Sequence, residues 1–386
     1  MKSIDFVQLP PEADIAEAAA SYVHTDEYNR LYKEWRCRED NIYAFSGKRS
    51  QTCHTYVDGI GVQEMSPAGR ERTALKNVCL IITVIVFIYA VADNVFGIPL
   101  IMLFKAFGIE ISYSFHDSIA YGNQYAVLTY ILFEGILKLC LPMILVSRAF
   151  RMPAKIAAPV TVRSHWHMAA AMPAACVGLA VLLALRLALP TDVLATDNIG
   201  MTYGVVSYMD GMCSAGYLVF EFVLVPLLME ILFHGALFQV LRQFGVLFAV
   251  IFTAIINTVI MHDPYSFTII FLTSLISGLG VWQSGSIITG MLVHSEMRVL
   301  SFLFFQCEEM PDLAGIPAQW ICIILMIVVG SLWMLALFVT GKGKLRLVDY
   351  STFLCGKEKV KICFTGSAML ASWVLCLLLM VIEIAL

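Results

Sequence analysis

The chain has 386 residues, 59% of them hydrophobic and 14% charged, with a formal net charge of −4. Soluble domains run at roughly 45–50% apolar and 25% charged residues, so this composition, with a mean hydropathy of +0.80, excludes an ordinary soluble protein and predicts a polytopic membrane protein. The acidic balance, with no basic patch interleaved with aromatics, argues against a nucleic-acid binder.

Residues 1–74 begin MKSIDFVQLPPEADIAEAAA, polar and acidic with no apolar run of the signal-peptide kind. They read as a cytosolic extension with a helix-like stretch from Ala13 to Arg38 and a Gly/Ser/Thr-rich linker after it. Too short and polar to build a core alone, the extension is either a partly disordered tail or a docking element for a cytosolic partner. Apolar stretches of membrane-spanning length then follow near 77–98, 124–147, 168–190, 217–241, 246–262, 266–284, 286–306, 317–340 and 364–386. The expected fold is therefore an all-α polytopic bundle of about nine transmembrane helices set in membrane lipids. It divides into helices over 75–214, a core over 215–306, and C-terminal helices with a basic loop over 307–386. Lysine and arginine test the count, because basic loops stay in the cytoplasm. Arg70, Arg72 and Lys76 precede the first stretch, Arg148 to Arg163 follow the second, Arg242 follows the fourth, and Lys342 to Lys361 follow the eighth. The alternate loops near 106–123, 191–216, 263–265 and 307–316 have neither residue. This pattern predicts a cytoplasmic N-terminus and an outside C-terminus. The 11 cysteines show no CxxC and no zinc-like spacing. Only Cys213 and Cys307 fall near expected outer loops, and nothing local fixes whether they pair. The C-terminal Glu383-Ile384-Ala385-Leu386 has no CaaX cysteine.

Ionisable groups inside hydrocarbon are costly and mark functional sites unless paired or hydrated. In the second stretch Glu134 and Lys138 are spaced for a helical ion pair. Arg186 is placed to snorkel, and Asp93 and Glu383 lie near outer ends where water reaches them. The fourth stretch is different. Met229-Glu230-Ile231-Leu232-Phe233-His234-Gly235 puts a carboxylate and an imidazole one turn apart on a shared face, downstream of Pro226, which should kink the helix. Glu221, nine residues before Glu230, points the other way. His262 closes the fifth stretch in His262-Asp263-Pro264, where a histidine also suits a helix C-terminus. His294 enters the seventh with Arg298 one turn on, and the pair requires an acid, for which Glu230 is the candidate. A glutamate in a wet intramembrane cavity, with imidazoles to orient water and stabilise an oxyanion, is a workable peptidase design. A metal site is the competing chemistry, but there is no H-E-x-x-H motif, and no metal or cofactor is expected.

These segments resemble the CPBP family, the CAAX prenyl protease and bacteriocin-processing group of intramembrane glutamic peptidases. Its signatures are E-E-x-x-x-R with a following Gly, F-x-x-x-H, and an H-x-x-x-N type motif after a G-S-I turn. Here they look like Met229 to Gly235, Thr258-Val259-Ile260-Met261-His262, and Gly285-Ser286-Ile287 leading to His294-Ser295-Glu296-Met297-Arg298. The resemblance implies a CPBP-like core over 215–306, with Glu230, His262 and His294 matching by type. The family's first glutamate falls on Met229, its arginine on His234, its phenylalanine on Thr258 and its asparagine on Met297 or Arg298. Since methionine accepts no proton, the base function passes to Glu230.

Two readings follow, with a membrane transporter as a third. In the first, Glu230 activates water, His262 and His294 stabilise the oxyanion, and His234 orients the glutamate for a membrane-associated or prenylated peptide. In the second, Arg298 pairs with Glu230, and a catalytically inactive homologue serves as scaffold, immunity factor or sensor. At 1.5 Å per residue, Glu230 and His294 lie roughly 18–20 Å below the outer boundary and His262 only a few Å below it. The fifth helix has to tilt, or begin later, for all three to meet.

Overall fold

The computed structural model describes residues 24–38, 40–45, 66–114, 119–189, 209–264, 266–313, 315–340 and 352–385, with the short segments 5–9, 54–57, 61–64, 205–206 and 346–350. Helix α1 spans Asp26–Cys37, α2 Pro67–Asn94, α3 Gly97–Ala106, α4 Gln124–Phe150 and α5 His165–Ala188. Their starts are chemically marked. The side chains of Thr25, Ser66, Asn123 and Ser164 accept hydrogen bonds from the first-turn amides of α1, α2, α4 and α5, and Pro67 opens α2 where a missing N–H costs nothing. The chain continues with α6 over Gly211–Phe244, α7 Val246–Ile260, α8 Phe267–Ser284, α9 Ile287–Gln306, α10 Ala318–Thr340, α11 Gly356–Thr365 and α12 Ser367–Ala385.

Seven of these helices, α2, α4, α5, α6, α8, α9 and α10, are long and apolar enough to cross a membrane, and the α11–α12 pair, bent by 60°, makes an eighth if it is one span. The one expected stretch left over, the fifth, is α7. Its 15 residues reach roughly 22 Å at 1.5 Å per residue, short of the ~30 Å hydrocarbon core. Small pairings of strands add what hydropathy does not show: antiparallel hairpins at His54–Val57 with Gly61–Glu64 and at Ile111–Ser114 with Ile119–Gly122, and a parallel pair joining Asp5–Leu9 to Arg346–Tyr350.

Helices α7, α8 and α9 follow one another as packed antiparallel neighbours, and α8 also packs on α5. Small residues allow that approach. A Cβ on Gly280 would press on Thr289 of α9 and Ala171 of α5, at 2.9 and 3.2 Å from their side chains. Helix α10 lies along α5, where Gly330 meets Val177, and most of its remaining surface faces outward.

Residues 24–45 are docked on the chain's own bundle, at the end of α6. Tyr28, Tyr32 and Trp35 of α1 are buried; Tyr28 Oη donates to Gln239 Oε1 (2.6 Å), Tyr32 Oη to the Gln239 carbonyl (3.1 Å) and Trp35 Nε1 to the Phe150 carbonyl (2.8 Å). The remainder of the expected helix before residue 24, and the side chain of Glu383, lie outside the described residues. Lys138 pairs with Asp93 of α2 at 2.9 Å, so the interhelical acid takes the place expected for Glu134, and Asp93 is an ion-pair member where hydration alone was expected. Cys213 and Cys307 are both free thiols: Cys213 is buried with Leu100 and Tyr217, and Cys307 is partly exposed.

Candidate active site

Helix α6 is not a regular α-helix. It widens into π-helical turns at Phe220–Leu224 and Ile231–Leu237, on either side of a short α segment holding Pro226 and Glu230. Pro226 supplies no N–H, and the first wide turn absorbs the break, with the Val225 amide reaching back to the Phe220 carbonyl. The second wide turn carries His234. There Gly235 abuts a carbonyl: any Cβ would overlap the oxygen of Ala157, in the short turn between α4 and α5.

Glu230 is 1% exposed and His234 fully buried. His234 Nδ1 lies 2.7 Å from Glu230 Oε2. With the carboxylate ionised, Nδ1 is the donor, and Nε2 of the neutral ring is left to accept from the Ser274 hydroxyl of α8 at 3.4 Å. The other carboxylate oxygen, Oε1, faces His294 of α9, whose Nδ1 is 3.4 Å away without the alignment of a hydrogen bond. Oε1 thus keeps lone pairs free of a directional partner.

The α8–α9 turn sets this distance. Gly285 adopts φ 78°, the left-handed region that glycine enters without strain, and closes α8. Ser286 caps α9 through its hydroxyl to the Ile288 amide (3.3 Å), while the Ile287 amide donates to the Pro159 carbonyl (2.8 Å). The first turn of α9 therefore presents Gly290 to Glu230. A side chain there is impossible without displacement, because its Cβ would overlap the carboxylate. Glycine also clears the opposite flank, where a Cβ on Gly278 of α8 would stand 3.2 Å from His234 Nε2.

The other expected residues go elsewhere. Arg298 pairs with Glu221, not Glu230, and its second nitrogen approaches Met229 Sδ at 4.0 Å. Glu221 lies within the first wide turn of α6, and the acid expected to point away lies against α9. His262 is drawn to the far end of α2: its Nε2 is 3.2 Å from Asp93 Oδ2 and its Nδ1 3.1 Å from the Ile260 carbonyl. It sits two residues past the end of α7 with φ 40°, so the depth mismatch read from the sequence is met by a second cluster, Asp93–Lys138–His262, with no tilt toward Glu230. Thr258 turns its hydroxyl back to the Ala254 carbonyl at 2.7 Å, and Met297 is buried in an apolar cluster with Phe304 and Ala175. Sequence reasoning passed over Ser274, Gly278 and Gly290. Their signal was small residues at helical spacing inside apolar runs.

Residues 211–300 match the model of the type II CAAX prenyl endopeptidase Rce1-like family. The match contains all of α6, α7 and α8 and two thirds of α9, the helices that bring Glu230, His234, Ser274 and His294 together. It agrees with the CPBP resemblance of the core motifs. No curated protein and no solved structure matches the chain. Within the Rce1-like segment, and among the described residues as a whole, no group of three His, Cys, Asp or Glu side chains is arranged to hold a metal ion.

Proposed function

We propose that this chain is a CPBP-type intramembrane peptidase in which Glu230 is the water-activating base, acting on membrane-associated peptides, with prenylated ones the first to test. The reading rests on a single feature: the Glu230 carboxylate lies between two imidazoles while the nearby guanidinium of Arg298 is taken by Glu221. A cation held against Glu230 would weaken it as a base; an imidazole that exchanges its proton does not lock it. His234 holds Oε2. A water held beside both Oε1 and His294 would lose its proton to Oε1 as its oxygen adds to the peptide carbonyl, and the imidazole would stabilise the resulting negative charge. The proton then passes to the leaving amine. His262, engaged by Asp93, has no part in this scheme.

A second reading has its own observation. Met229, where the family's first glutamate falls, faces Arg298 and takes no proton, as in a homologue that binds peptides or partners without cutting them, a scaffold, immunity factor or sensor. Purified protein in detergent, incubated with farnesylated and unmodified peptides, separates the two. Cleavage lost in Glu230→Ala, by about 10³-fold or more, supports the peptidase. Binding without cleavage in the wild type supports the second reading, and hydrolysis gained in Met229→Glu with His234→Arg identifies a decayed site. Coupled uptake lost in Glu230→Gln would instead indicate transport.

A further inference from the structure

With His262 turned to Asp93, the α7 side of the site needs another polar group. Val250, Thr253 and Asn257 follow one another at i, i+3 and i+7, within roughly 60° on a helix. Val250 fixes where this strip points: a Cβ on Gly278 would lie 3.3 Å from Val250 Cγ1 and 3.2 Å from His234 Nε2, so Val250 and His234 crowd one glycine. Phe252 and Ile256 occupy the other side of α7, Phe252 meeting Phe364 of α11 edge to face.

Thr253 Oγ1 and Asn257 Oδ1 are buried and accept no hydrogen bond, and the same holds for His294 Nδ1 and Ser301 Oγ on α9. A buried polar atom of this kind is costly unless a partner meets it. Helices α7 and α9 both pack on α8 and on the wide turn of α6. Levels along them are tied together: Val250 abuts Gly278, and the Ser277 hydroxyl donates to the Gly290 carbonyl at 3.3 Å. At 1.5 Å per residue, His294 then stands about 3 Å beyond Thr253 and about 3 Å short of Asn257. Each of these offsets is close to one residue of extended peptide, roughly 3.3 Å.

We propose that Thr253 and Asn257 form the α7 wall of the Glu230 site and that Asn257 is a positioning residue, binding the main-chain peptide group next to the bond under attack. An asparagine amide both donates and accepts, so it matches a peptide group of any sequence. The substrate part of this inference rests on the peptidase reading; the placement of the wall does not.

The test uses the full chain with its native cysteines replaced by alanine or serine, adding Thr253→Cys, Asn257→Cys or Ile256→Cys, each verified by monodisperse elution. A hydrophilic methanethiosulfonate reagent should modify the first two at least tenfold faster than the third. Equal or slower labelling of Asn257→Cys overturns the wall, whatever the wild type cleaves. In the native-cysteine chain, Asn257→Ala should weaken binding of a farnesylated peptide about tenfold, with Asn257→Gln recovering part of the loss. Unchanged affinity in Asn257→Ala overturns the positioning role. A wild type that neither binds nor cuts the peptide, alongside fast labelling of Asn257→Cys, overturns the peptidase reading and the peptide role together and leaves the wall standing.

Discussion

Glu230 owes its position to what surrounds it: an imidazole on one oxygen, a second imidazole near the other, and a glycine where any side chain would collide. Gly290→Ala should therefore act on the carboxylate directly. We expect a stability loss of about 1–3 kcal/mol from overpacking, read as a lower unfolding midpoint in detergent, with loss of any Glu230-dependent cleavage. The Asp93–Lys138 pair gives a separate test. Asp93→Asn and Lys138→Met, made singly and together, should show a coupling of about 0.5–3 kcal/mol in thermal unfolding. Additive losses would mean the pair is screened. Both sites show what a sequence can carry at this scale. The Glu230–His234 contact was legible because helix spacing makes it local. The partners of Lys138, His262 and Arg298 lie on other helices, and no spacing rule reports which of several acids an interhelical cation meets. Asn257 was missed for a simpler reason: a neutral amide in an apolar run attracts less notice than a histidine five residues later.

Among the elements, hydropathy located the long helices well and misjudged those whose length is set by packing. Helix α7 stops at Ile260 because His262 takes a left-handed conformation and Pro264 follows, so an apolar run ending at residue 262 became a short buried helix. Helix α1 shows the opposite error. Its mean composition is polar, yet its aromatic stripe of Tyr28, Tyr32 and Trp35 is buried, and His24 stacks on Tyr28 at 3.8 Å. His24 Nε2 lies 2.7 Å from an Arg242 nitrogen, and since a guanidinium only donates, the imidazole accepts and is neutral. Burial, and then the Arg242 charge, hold the His24 pKa well below the usual imidazole value. The docked state thus rejects a proton that the released state binds. Docking is at full strength above about pH 6.5 and weakens as pH falls below it. Protease cleavage or hydrogen exchange within Asp26–Cys37 should increase between about pH 7.5 and pH 5.5, and His24→Phe should flatten that dependence. Faster opening at the higher pH would refute the assignment.

For the whole molecule, composition predicted a helical membrane bundle correctly, and the docking of the amino-terminal region lay beyond its reach, because the contacts that dock it, to Phe150, Gln239, Arg242 and Gln243, are remote in sequence. Removal of residues 1–45 should lower thermal stability by several kcal/mol, on the basis of about 1.5–3 kcal/mol for each large buried side chain. An unchanged midpoint would show that the region is only loosely attached. The parallel pairing of Asp5–Leu9 with Arg346–Tyr350 sets a schedule for biogenesis. The strand Asp5–Leu9 leaves the ribosome with its hydrogen-bonding edge open, long before the strand that covers it is made. Throughout that interval the earlier strand is therefore an exposed adhesive segment that chaperones have reason to guard, and a message truncated before Arg346 would leave it permanently unmatched.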